Sequence, residues 1–300
     1  MKIQLQALRD YYGFPAEQGF VKTAIPGVRF FWATQAVERT PILYSSGIVI
    51  IGQGYKIGYL GDRIFRYDQN NYLILGVPLP FECETYATPE EPLLGIFLDI
   101  DLGILHELMA AVAGDIPSFD IGSEAVPRGV EPVELNEEIR DATERLLRCL
   151  TSPMDCKALG RSLVREIIYR ILQGQHGQSL YALTHHHGYY ARITKALDRI
   201  HRDYATPLTV EALAEETHIS VSAFHRAFKQ VTEDSPLQYL KKVRLNKAKS
   251  LIVYEGIQAS VAASRVGYES ASQFSREFKR YFKVLPSKAA EIGYAQIGSA

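Results

Sequence analysis

The sequence predicts an α+β protein of two domains, with a β-rich N-terminal half followed by helices and then by an all-α C-terminal half. Three observations predict this order. Short β-branched and aromatic runs fill residues 20–100, helical patterns follow from about residue 101, and one pattern in the C-terminal half occurs twice. With 300 residues, of which 47% are hydrophobic, the chain is long enough to bury two cores.

The N-terminal runs have the length of strands and are separated by turn residues. Gly61-Asp62, for example, lies between two of them and favours a hairpin. Seven or eight such strands would close a small barrel that holds about one small ligand. The predicted strands are residues 28–34, 47–51, 55–60, 63–67, 72–77, 81–86 and 93–98.

Six aromatic side chains either line an effector cavity in this barrel or simply form its packed core. They are Trp32, Tyr44, Phe65, Tyr72, Phe81 and Tyr86. Neither interpretation is excluded, so no effector-binding residue is assigned. Residues 1–105 contain no histidine, whereas a metal-binding barrel needs several imidazoles around one ion. The sequence therefore predicts no enzyme, no catalytic residue, no metal and no cofactor.

Helices are predicted after the barrel. Asp101 is placed to cap a helix over 102–113, Asn136 one over 137–150, and Ser152-Pro153 one that runs to about Gln173. The last two form a hairpin with an apolar strip, which either pairs two chains or packs on its own barrel. A small barrel leaves such a strip uncovered, so a homodimer is favoured. The segment from Gln173 through His185, His186 and His187 is predicted to be an exposed linker rather than a metal or pH-sensing site, which places the domain boundary between 184 and 185.

The repeated pattern lies in residues 212–236 and 262–286, at an offset of 50. A repeat of this kind indicates two copies of one supersecondary unit. Ala212, Ser220, Ser222, Phe224, Arg226, Phe228, Lys229 and Pro236 recur as Ala262, Ser270, Ser272, Phe274, Arg276, Phe278, Lys279 and Pro286.

Each copy contains a short apolar helix, a turn, and a second helix opened by a serine. The second helix has an aromatic face, with Val221 counted on it in the first copy and Tyr281 in the second, and an opposite polar and basic face. This predicts a helix-turn-helix whose second helix suits the DNA major groove, the alternative being two ordinary amphipathic hairpins. Between the copies, residues 236–254 form a helical pattern of roughly 27 Å, close to the roughly 34 Å of one DNA turn. Two reading heads could therefore enter successive major grooves.

Charge agrees with this division of the chain. Residues 1–184 carry 16 Lys and Arg against 23 Asp and Glu, whereas residues 185–300 carry 17 against 11. Only the C-terminal part has the sign that nucleic acid requires. The three cysteines form no C-x-x-C pair, and neither a signal peptide nor an 18-residue apolar run is present, so a reduced, cytoplasmic protein is expected.

The C-terminal segment resembles the tandem helix-turn-helix domain of the AraC/XylS family of transcription regulators. The matching phrases are Phe224-His-Arg-Ala-Phe-Lys, Ser235-Pro-Leu-Gln-Tyr-Leu, Val243-Arg-Leu-Asn-Lys-Ala, Ala262-Ala-Ser-Arg-Val-Gly-Tyr and Ser272-Gln-Phe-Ser-Arg-Glu-Phe-Lys. The resemblance places the base-reading positions at Ser222, His225, Arg226, Ala271, Ser272, Ser275 and Arg276. Among them Arg226 and Arg276 are the predicted specificity determinants because arginine can bind guanine O6 and N7 together. Lys229 and Lys279 are expected to bind phosphates.

The sequence departs from the family pattern at four places. Glu233 and Lys283 stand where glycine is usual, Thr217-His218 replaces a turn glycine, and Ala289 replaces a common tyrosine. These departures concern local turn geometry rather than the fold.

Residues 20–115 resemble the N-terminal domain of one AraC subgroup, through Thr23-Ala-Ile-Pro, Gln53-Gly-Tyr-Lys, Gly61-Asp, Tyr67-Asp and Pro89-Glu-Glu-Pro-Leu. This implies a cupin-like β-barrel that senses an effector, without naming a ligand. The expected partners are double-stranded operator DNA, an unknown small-molecule effector, a second copy of the chain and RNA polymerase. The alternative is a non-catalytic ligand-binding protein that acts through a partner protein.

Overall fold

The computed structural model describes residues 1–13, 17–112, 126–174, 177–184 and 188–292. Within them the N-terminal part contains ten strands, all paired antiparallel in two sheets. The strands are β1 (Gln18–Lys22), β2 (Val28–Ala33), β3 (Val37–Tyr44), β4 (Gly47–Gln53), β5 (Tyr55–Leu60), β6 (Arg63–Tyr67), β7 (Asn71–Leu75), β8 (Leu79–Tyr86), β9 (Leu93–Asp99) and β10 (Val130–Glu134).

The two sheets share a core rather than closing into one continuous ring of strands. One has six strands in the order β1-β2-β9-β4-β7-β10, and the other has four in the order β3-β8-β5-β6. Apolar side chains from both sheets belong to one buried cluster. This double-sheet arrangement is compatible with a cupin-like jelly roll, although it is not the closed barrel that was expected. The predicted fold class, a β-rich N-terminal part followed by an all-α tandem helix-turn-helix part, is confirmed. All seven predicted strands are present, and β1, β3 and β10 are additional.

Helices cover the outer face of the six-stranded sheet. They are α1 (Lys2–Tyr12), α2 (Leu102–Ala111), α3 (Glu137–Cys149), α4 (Pro153–Gln173) and α5 (Gln178–Thr184). Predicted caps are confirmed, since the Asp101 carboxylate accepts from Gly103 N at 2.7 Å and Asn136 Oδ1 accepts from Ile139 N at 2.9 Å. Ala113, where the first of these helices was expected to end, and the three adjacent histidines lie outside the described residues. The predicted linker is partly wrong because α5 occupies its second half.

The apolar strip of α3 and α4 is buried against the chain's own sheet. It forms one core with the outward side chains of the six-stranded sheet, through Ile139, Leu146, Leu147, Leu150, Ile167, Ile168 and Ile171. The expectation that this strip stays uncovered is therefore wrong, because α1 and the six-stranded sheet supply enough apolar surface to cover it. Pairing of two chains through this region stays a prediction.

The C-terminal part is helical. Its helices are α6 (Tyr189–Asp203), α7 (Val210–Glu216), α8 (Val221–Thr232), α9 (Pro236–Glu255), α10 (Ala259–Arg265) and α11 (Ala271–Phe282), followed by a 3-10 helix over Pro286–Ile292. Helices α8 and α11 are each 12 residues long and begin 50 positions apart, as the repeat predicts. Helices α7 and α10 begin 49 positions apart, because the second turn has one more residue than the first.

This extra residue overturns one of the eight coincidences. Ala262 is fully buried, whereas Ala212 is exposed, and it is Leu213 that occupies the equivalent buried place. Two inward assignments are also wrong: Val221 is 41% exposed at the first position of α8, and Tyr281 is only partly buried while Phe282 takes the inward place. The other repeated residues keep their register.

The first helix-turn-helix unit packs directly on the β-sheet part. A single buried cluster joins side chains from between the two sheets with side chains of α6, α7, α8 and α9. The second unit has a separate core built by α9, α10 and α11. None of the helices in the described ranges is long and apolar enough to span a membrane.

Candidate nucleic-acid interface

The two second helices, α8 and α11, begin in the same way. Ser220 Oγ accepts a hydrogen bond from Ala223 N at 3.3 Å, and Ser270 Oγ accepts one from Gln273 N at 3.3 Å. Each cap satisfies a backbone N–H that has no partner within its helix. Two phenylalanines per helix are fully buried, Phe224 with Phe228 and Phe274 with Phe278. Cap and aromatic face together fix the rotation of each helix, so the opposite face points outward.

The predicted reading residues lie on these outward faces. Ser222, His225, Arg226 and Lys229 are exposed on α8, and Ala271, Ser272, Arg276 and Lys279 are exposed on α11. Ser275 is half-buried and is the least accessible of the set. The structure therefore presents each group on one side of one helix. Which of them contact bases stays a prediction.

The basic side chains on the two faces are not paired with an acidic side chain among the described residues. Arg226, Lys229, Arg276 and Lys279 form no hydrogen bond or ion pair with any of them, unlike other lysines of the same domain. Lys242, for comparison, pairs with Asp234 at 2.7 Å. Unpaired, solvated cations on a helix face are free to bind an anion such as a DNA phosphate.

One edge of α8 contacts the β-sheet part of the chain. Gln230 Nε2 donates to Val126 O at 3.2 Å, and Gly129 N donates to Val231 O at 2.9 Å. A depression of about 190 Å³ lies beside this contact, and Arg226 lines it together with Val126. Arg226 thus stands on the border between the outward face of α8 and the contact with the N-terminal part.

Three residues that replace glycine keep a left-handed backbone. The φ angles are 55° at His218, 59° at Glu233 and 66° at Lys283. Glu233 and Lys283 end α8 and α11, where a left-handed residue is the usual stop signal. The substitutions noted in the sequence therefore leave the turn geometry intact, at the cost of local strain.

Glu277 is a residue of the second helix-turn-helix unit whose role the sequence pattern did not identify. It lies on α11 and accepts hydrogen bonds from Tyr268 Oη at 2.8 Å, Gln273 Nε2 at 3.2 Å and Lys241 Nζ at 3.5 Å. Burial raises the pKa of Glu277, but these hydrogen bonds and the Lys241 charge outweigh burial and lower it overall. The carboxylate thus fastens α11 to α9 and to the preceding turn. The sequence signal that could have identified this role is the position of Glu277 three residues after Phe274, which places it between the aromatic face and the outward face of α11.

The six aromatic candidates of the barrel do not line one cavity. Tyr44, Phe65 and Phe81 pack together between the sheets, with ring centroids of Tyr44 and Phe81 4.8 Å apart. Trp32 and Tyr72 belong to the other core, beneath the helices, and Tyr86 is 38% exposed. Only the first three remain candidates for contact with a ligand inside the barrel.

A polar cluster that includes a buried lysine lies beside these rings. Lys56 is 3% exposed, and its Nζ lies 3.4 Å from Tyr44 Oη. The Tyr44 and Tyr67 hydroxyls are 2.9 Å apart, and Tyr67 Oη lies 3.3 Å from Cys83 Sγ. Burial lowers the pKa of Lys56 and raises the pKa of the two phenols and the thiol. Over the residues that the structure describes, no carboxylate lies within ion-pair distance of Lys56, and no three metal-ligating side chains converge.

Comparison with known proteins identifies the two halves of the chain. Residues 24–179 match the family described as AraC-type transcriptional regulator N-terminus, and residues 213–291 match a helix-turn-helix domain family. The chain belongs to the family of AraC-type transcriptional regulators. The first match alone covers more than half of the chain. The resemblance noted in the sequence is therefore confirmed.

Individual AraC-type relatives match over part of their length. The regulator AlkR of Acinetobacter baylyi is 36% identical over 94 residues, which is 31% of this chain and 31% of AlkR. The activator RhaS of Escherichia coli is 30% identical over 96 residues, 32% of this chain and 34% of RhaS. The regulator ArgR of Pseudomonas aeruginosa is 24% identical over 201 residues, 64% of this chain and 60% of ArgR. The match thus spans about a third of the length of AlkR and RhaS.

Among solved structures, ToxT of Vibrio cholerae has the same fold. The match has a TM-score of 0.58 at 10% identity and covers 89% of this chain and 98% of ToxT. A ToxT structure with an unsaturated fatty acid bound matches with a TM-score of 0.57 at 11% identity, over 90% of this chain and 98% of that one. At this level of identity the likeness concerns the fold alone.

Proposed function

We propose that this chain is a sequence-specific, DNA-binding transcription regulator of the cytoplasm, in which α8 and α11 read adjacent major grooves. One observation carries the proposal: two serine-capped helices, one before α9 in the chain and one packed along it, present equivalent outward faces with basic side chains that have no acidic partner among the described residues. Helix α9 has 20 residues, hence roughly 30 Å, which is close to one turn of DNA.

The side chains differ in the role that their chemistry suits. Arg226 and Arg276 can each donate two parallel hydrogen bonds to guanine O6 and N7. Lys229 and Lys279 lie one turn further along each helix and suit phosphate oxygens. The shorter side chains Ser222, His225, Ala271, Ser272 and Ser275 complete the two reading faces, with Ala271 limited to contact with a thymine methyl group.

Matched alanine variants of the second head test this assignment. The full chain first selects a binding duplex from a random-sequence pool, and dissociation constants are then measured on that duplex and on unrelated DNA across a range of salt concentrations. Arg276→Ala should cost about 1–3 kcal/mol on the selected duplex and relax base choice at one position. Lys279→Ala should weaken binding to all sequences alike and flatten the salt dependence by about one phosphate contact. Equal losses for Arg276→Ala on selected and unrelated DNA would show that it does not read a base.

We also propose that the barrel senses an effector with an acidic group and that Lys56 anchors it. A buried ammonium without a carboxylate partner is costly, and an anionic ligand would supply the missing counter-charge. The acid bound by ToxT, which shares this fold, supports this class of ligand. Tyr44 and Tyr67 hydroxyls beside Lys56 would add hydrogen bonds.

The test of the effector class is thermal stability of the full chain against aromatic and aliphatic acids, each paired with its neutral amide. An acid at 100 times its dissociation constant should add about 2.7 kcal/mol to the free energy of unfolding, and the amide should add much less. Lys56→Met should abolish the difference while the protein stays at least as stable as wild type, because a lone buried cation is removed. Equal shifts with acids and amides, or an unchanged shift in Lys56→Met, would contradict the role of Lys56.

The regulator is further proposed to act as a homodimer that contacts RNA polymerase at the promoter. Support for pairing comes from α4, one of the two helices of the hairpin, which exposes Met154 by 77% and Leu159 by 52%. Sedimentation equilibrium of the full chain, with and without Leu159→Glu, measures this directly. A monomer at micromolar concentration, alone and on DNA, would remove the dimer from the proposal.

A further inference from the structure

One arginine joins the two helix-turn-helix units at a point away from their reading faces. Arg244 lies in the middle of α9, and its guanidinium donates to three backbone carbonyls. Nε donates to Tyr204 O at 2.7 Å and Nη2 to Thr206 O at 2.9 Å, both in the segment that leads into the first unit. Nη1 donates to Gly267 O at 3.2 Å, in the turn between α10 and α11 of the second unit. One side chain thus holds backbone from both units.

The backbones that Arg244 joins also touch each other directly. A Cβ atom placed on Gly267 would lie 2.4 Å from Ala205 O, and Gly267 has a φ of 84°. No side chain fits at this contact, so the turn of the second unit is seated against residue 205. The guanidinium closes the contact from the side of α9.

The two hydrophobic cores meet at the same place. Tyr204 packs against both the core that contains the first unit and the core of the second unit. Lys247, one turn after Arg244 on α9, lies 5.9 Å from the centroid of the Tyr204 ring. Polar ties, a backbone contact and a shared aromatic ring thus form one junction, which we name the 204–206/267 junction.

We propose that Arg244 is a positioning residue that, through the 204–206/267 junction, fixes the separation and rotation of the two reading helices and so confines binding to one spacing of DNA half-sites. A single long helix between two units can bend, but a second tie makes the connection rigid. Inserting one base pair moves a half-site by about 3.4 Å and rotates it by about 35°. Lysine cannot replace this side chain, since only the planar guanidinium reaches three carbonyls in different directions.

The inference rests on the proposed function, and its test begins from the duplex that the wild-type full chain selects from a random-sequence pool. Derivatives of that duplex carry one base pair more or fewer between the two protected half-sites. Dissociation constants are measured for wild type, Arg244→Lys, Arg244→Met and Arg265→Met. Arg265 is the matched control, because it is an exposed arginine of the second unit whose ion pair within the described part of the chain is with Glu255.

For wild type and Arg265→Met, the altered spacing should weaken binding by about tenfold or more, the size of a lost base-pair contact or two. In both Arg244 variants this ratio should fall to about threefold or less, since loosely joined heads adjust to either spacing. Arg244→Lys keeps the positive charge, so a lower ratio there excludes loss of charge as the cause. Gly267→Ala, which disturbs the same junction without touching Arg244, should change the spacing preference too.

Three results separate the possibilities. If Arg244→Met weakens binding to every duplex by one factor and leaves the spacing ratio at the wild-type value, Arg244 only stabilises the fold and the inference is wrong, while DNA binding stands. Where Arg244→Met fails to fold, the other two variants decide. If Gly267→Ala and Arg244→Lys both keep the wild-type spacing ratio, the inference is wrong as well. If wild type selects no duplex at all, the proposed function itself fails.

Discussion

At the scale of single residues, strain is concentrated where the chain departs from glycine. Glu233 and Lys283 end the two reading helices with φ angles of 59° and 66°. A left-handed conformation costs an L-residue with a Cβ atom roughly 1–2 kcal/mol, whereas glycine adopts it freely at a smaller entropic cost. Both heads therefore retain a strained stop that glycine would relieve.

Glycine at either position should make the protein more stable. We expect Glu233→Gly and Lys283→Gly each to raise the free energy of unfolding by about 0.5–1 kcal/mol, measured by urea denaturation of the full chain. Gln238→Gly, at an exposed position in the first turn of α9, is the control and should lower stability by up to about 1 kcal/mol. A loss of stability in Lys283→Gly would mean that its side chain contributes more than its backbone costs.

Lys56 shows why single residues of the barrel were harder to predict than those of the heads. Strand β5 alternates between half-buried and buried positions, with Lys56, Gly58 and Leu60 on the inward side. The alternation is visible in the sequence, but no residue close by in the sequence indicates which side of the strand faces the other sheet. On α8 and α11, by contrast, the serine cap and the aromatic face are both visible in the sequence and together fix the orientation of the helix. All nine predicted DNA residues therefore lie on outward faces, Ser275 being the one that is half-buried.

At the scale of elements, helix caps were predictable, whereas three of the four edge strands were not. Asp101, Asn136, Ser152, Ser220 and Ser270 each accept the expected backbone hydrogen bond at a helix start. The three unpredicted strands, β1, β3 and β10, all lie at an edge of a sheet. Edge strands tolerate proline and charge, and β3 and β10 contain Pro41 and Pro132. Pro41 and Pro132 look like strand breakers in the sequence, but both are tolerated because their strands lie at a sheet edge. Only the fold shows that these strands lie at an edge.

The repeat shows a second limit at this scale. Aligning the two copies at an offset of 50 places the reading helices correctly but misplaces the first helices by one position. His218 and Gly267 are equivalent in the fold, since each is the left-handed residue of its turn, yet they are 49 positions apart. An alignment of identical residues matches side chains, but the left-handed residue of the turn lies at a position shifted by one residue between the two copies.

At the scale of the whole molecule, helices α6 and α9 of the C-terminal part are joined to the β-sheet part by a chain of hydrogen bonds. Tyr239 Oη donates to Pro78 O at 2.5 Å, and the same oxygen lies 2.8 Å from His201 Nε2. Because the phenol proton is used by Pro78, Nε2 must donate to Tyr239, which fixes the neutral tautomer of His201. The imidazole on α6 thereby supports a contact between the two halves.

This connection should make the stability of the molecule depend on pH in a predictable direction. Burial, together with the charge of Lys247, lowers the pKa of His201 to about 4. In the unfolded chain a histidine binds its proton near pH 6.5, so between about pH 6.5 and 4 the unfolded state holds more protons and acidification favours unfolding. Above about pH 6.5 the titration of His201 does not lower the free energy of unfolding. Between pH 7 and pH 5 it lowers that free energy by about 2 kcal/mol.

Urea unfolding of the full chain at pH 7 and pH 5 measures this effect. His201→Gln keeps a donor for Tyr239 but cannot titrate, so its stability should fall by about 2 kcal/mol less than that of wild type over this range. His225→Gln is the matched control, because it removes an exposed histidine from α8 and should reproduce the wild-type difference. If wild type and His201→Gln lose the same free energy of unfolding between pH 7 and pH 5, His201 binds its proton as readily in the folded protein as in the unfolded chain. The contact between the two halves would then withstand acid.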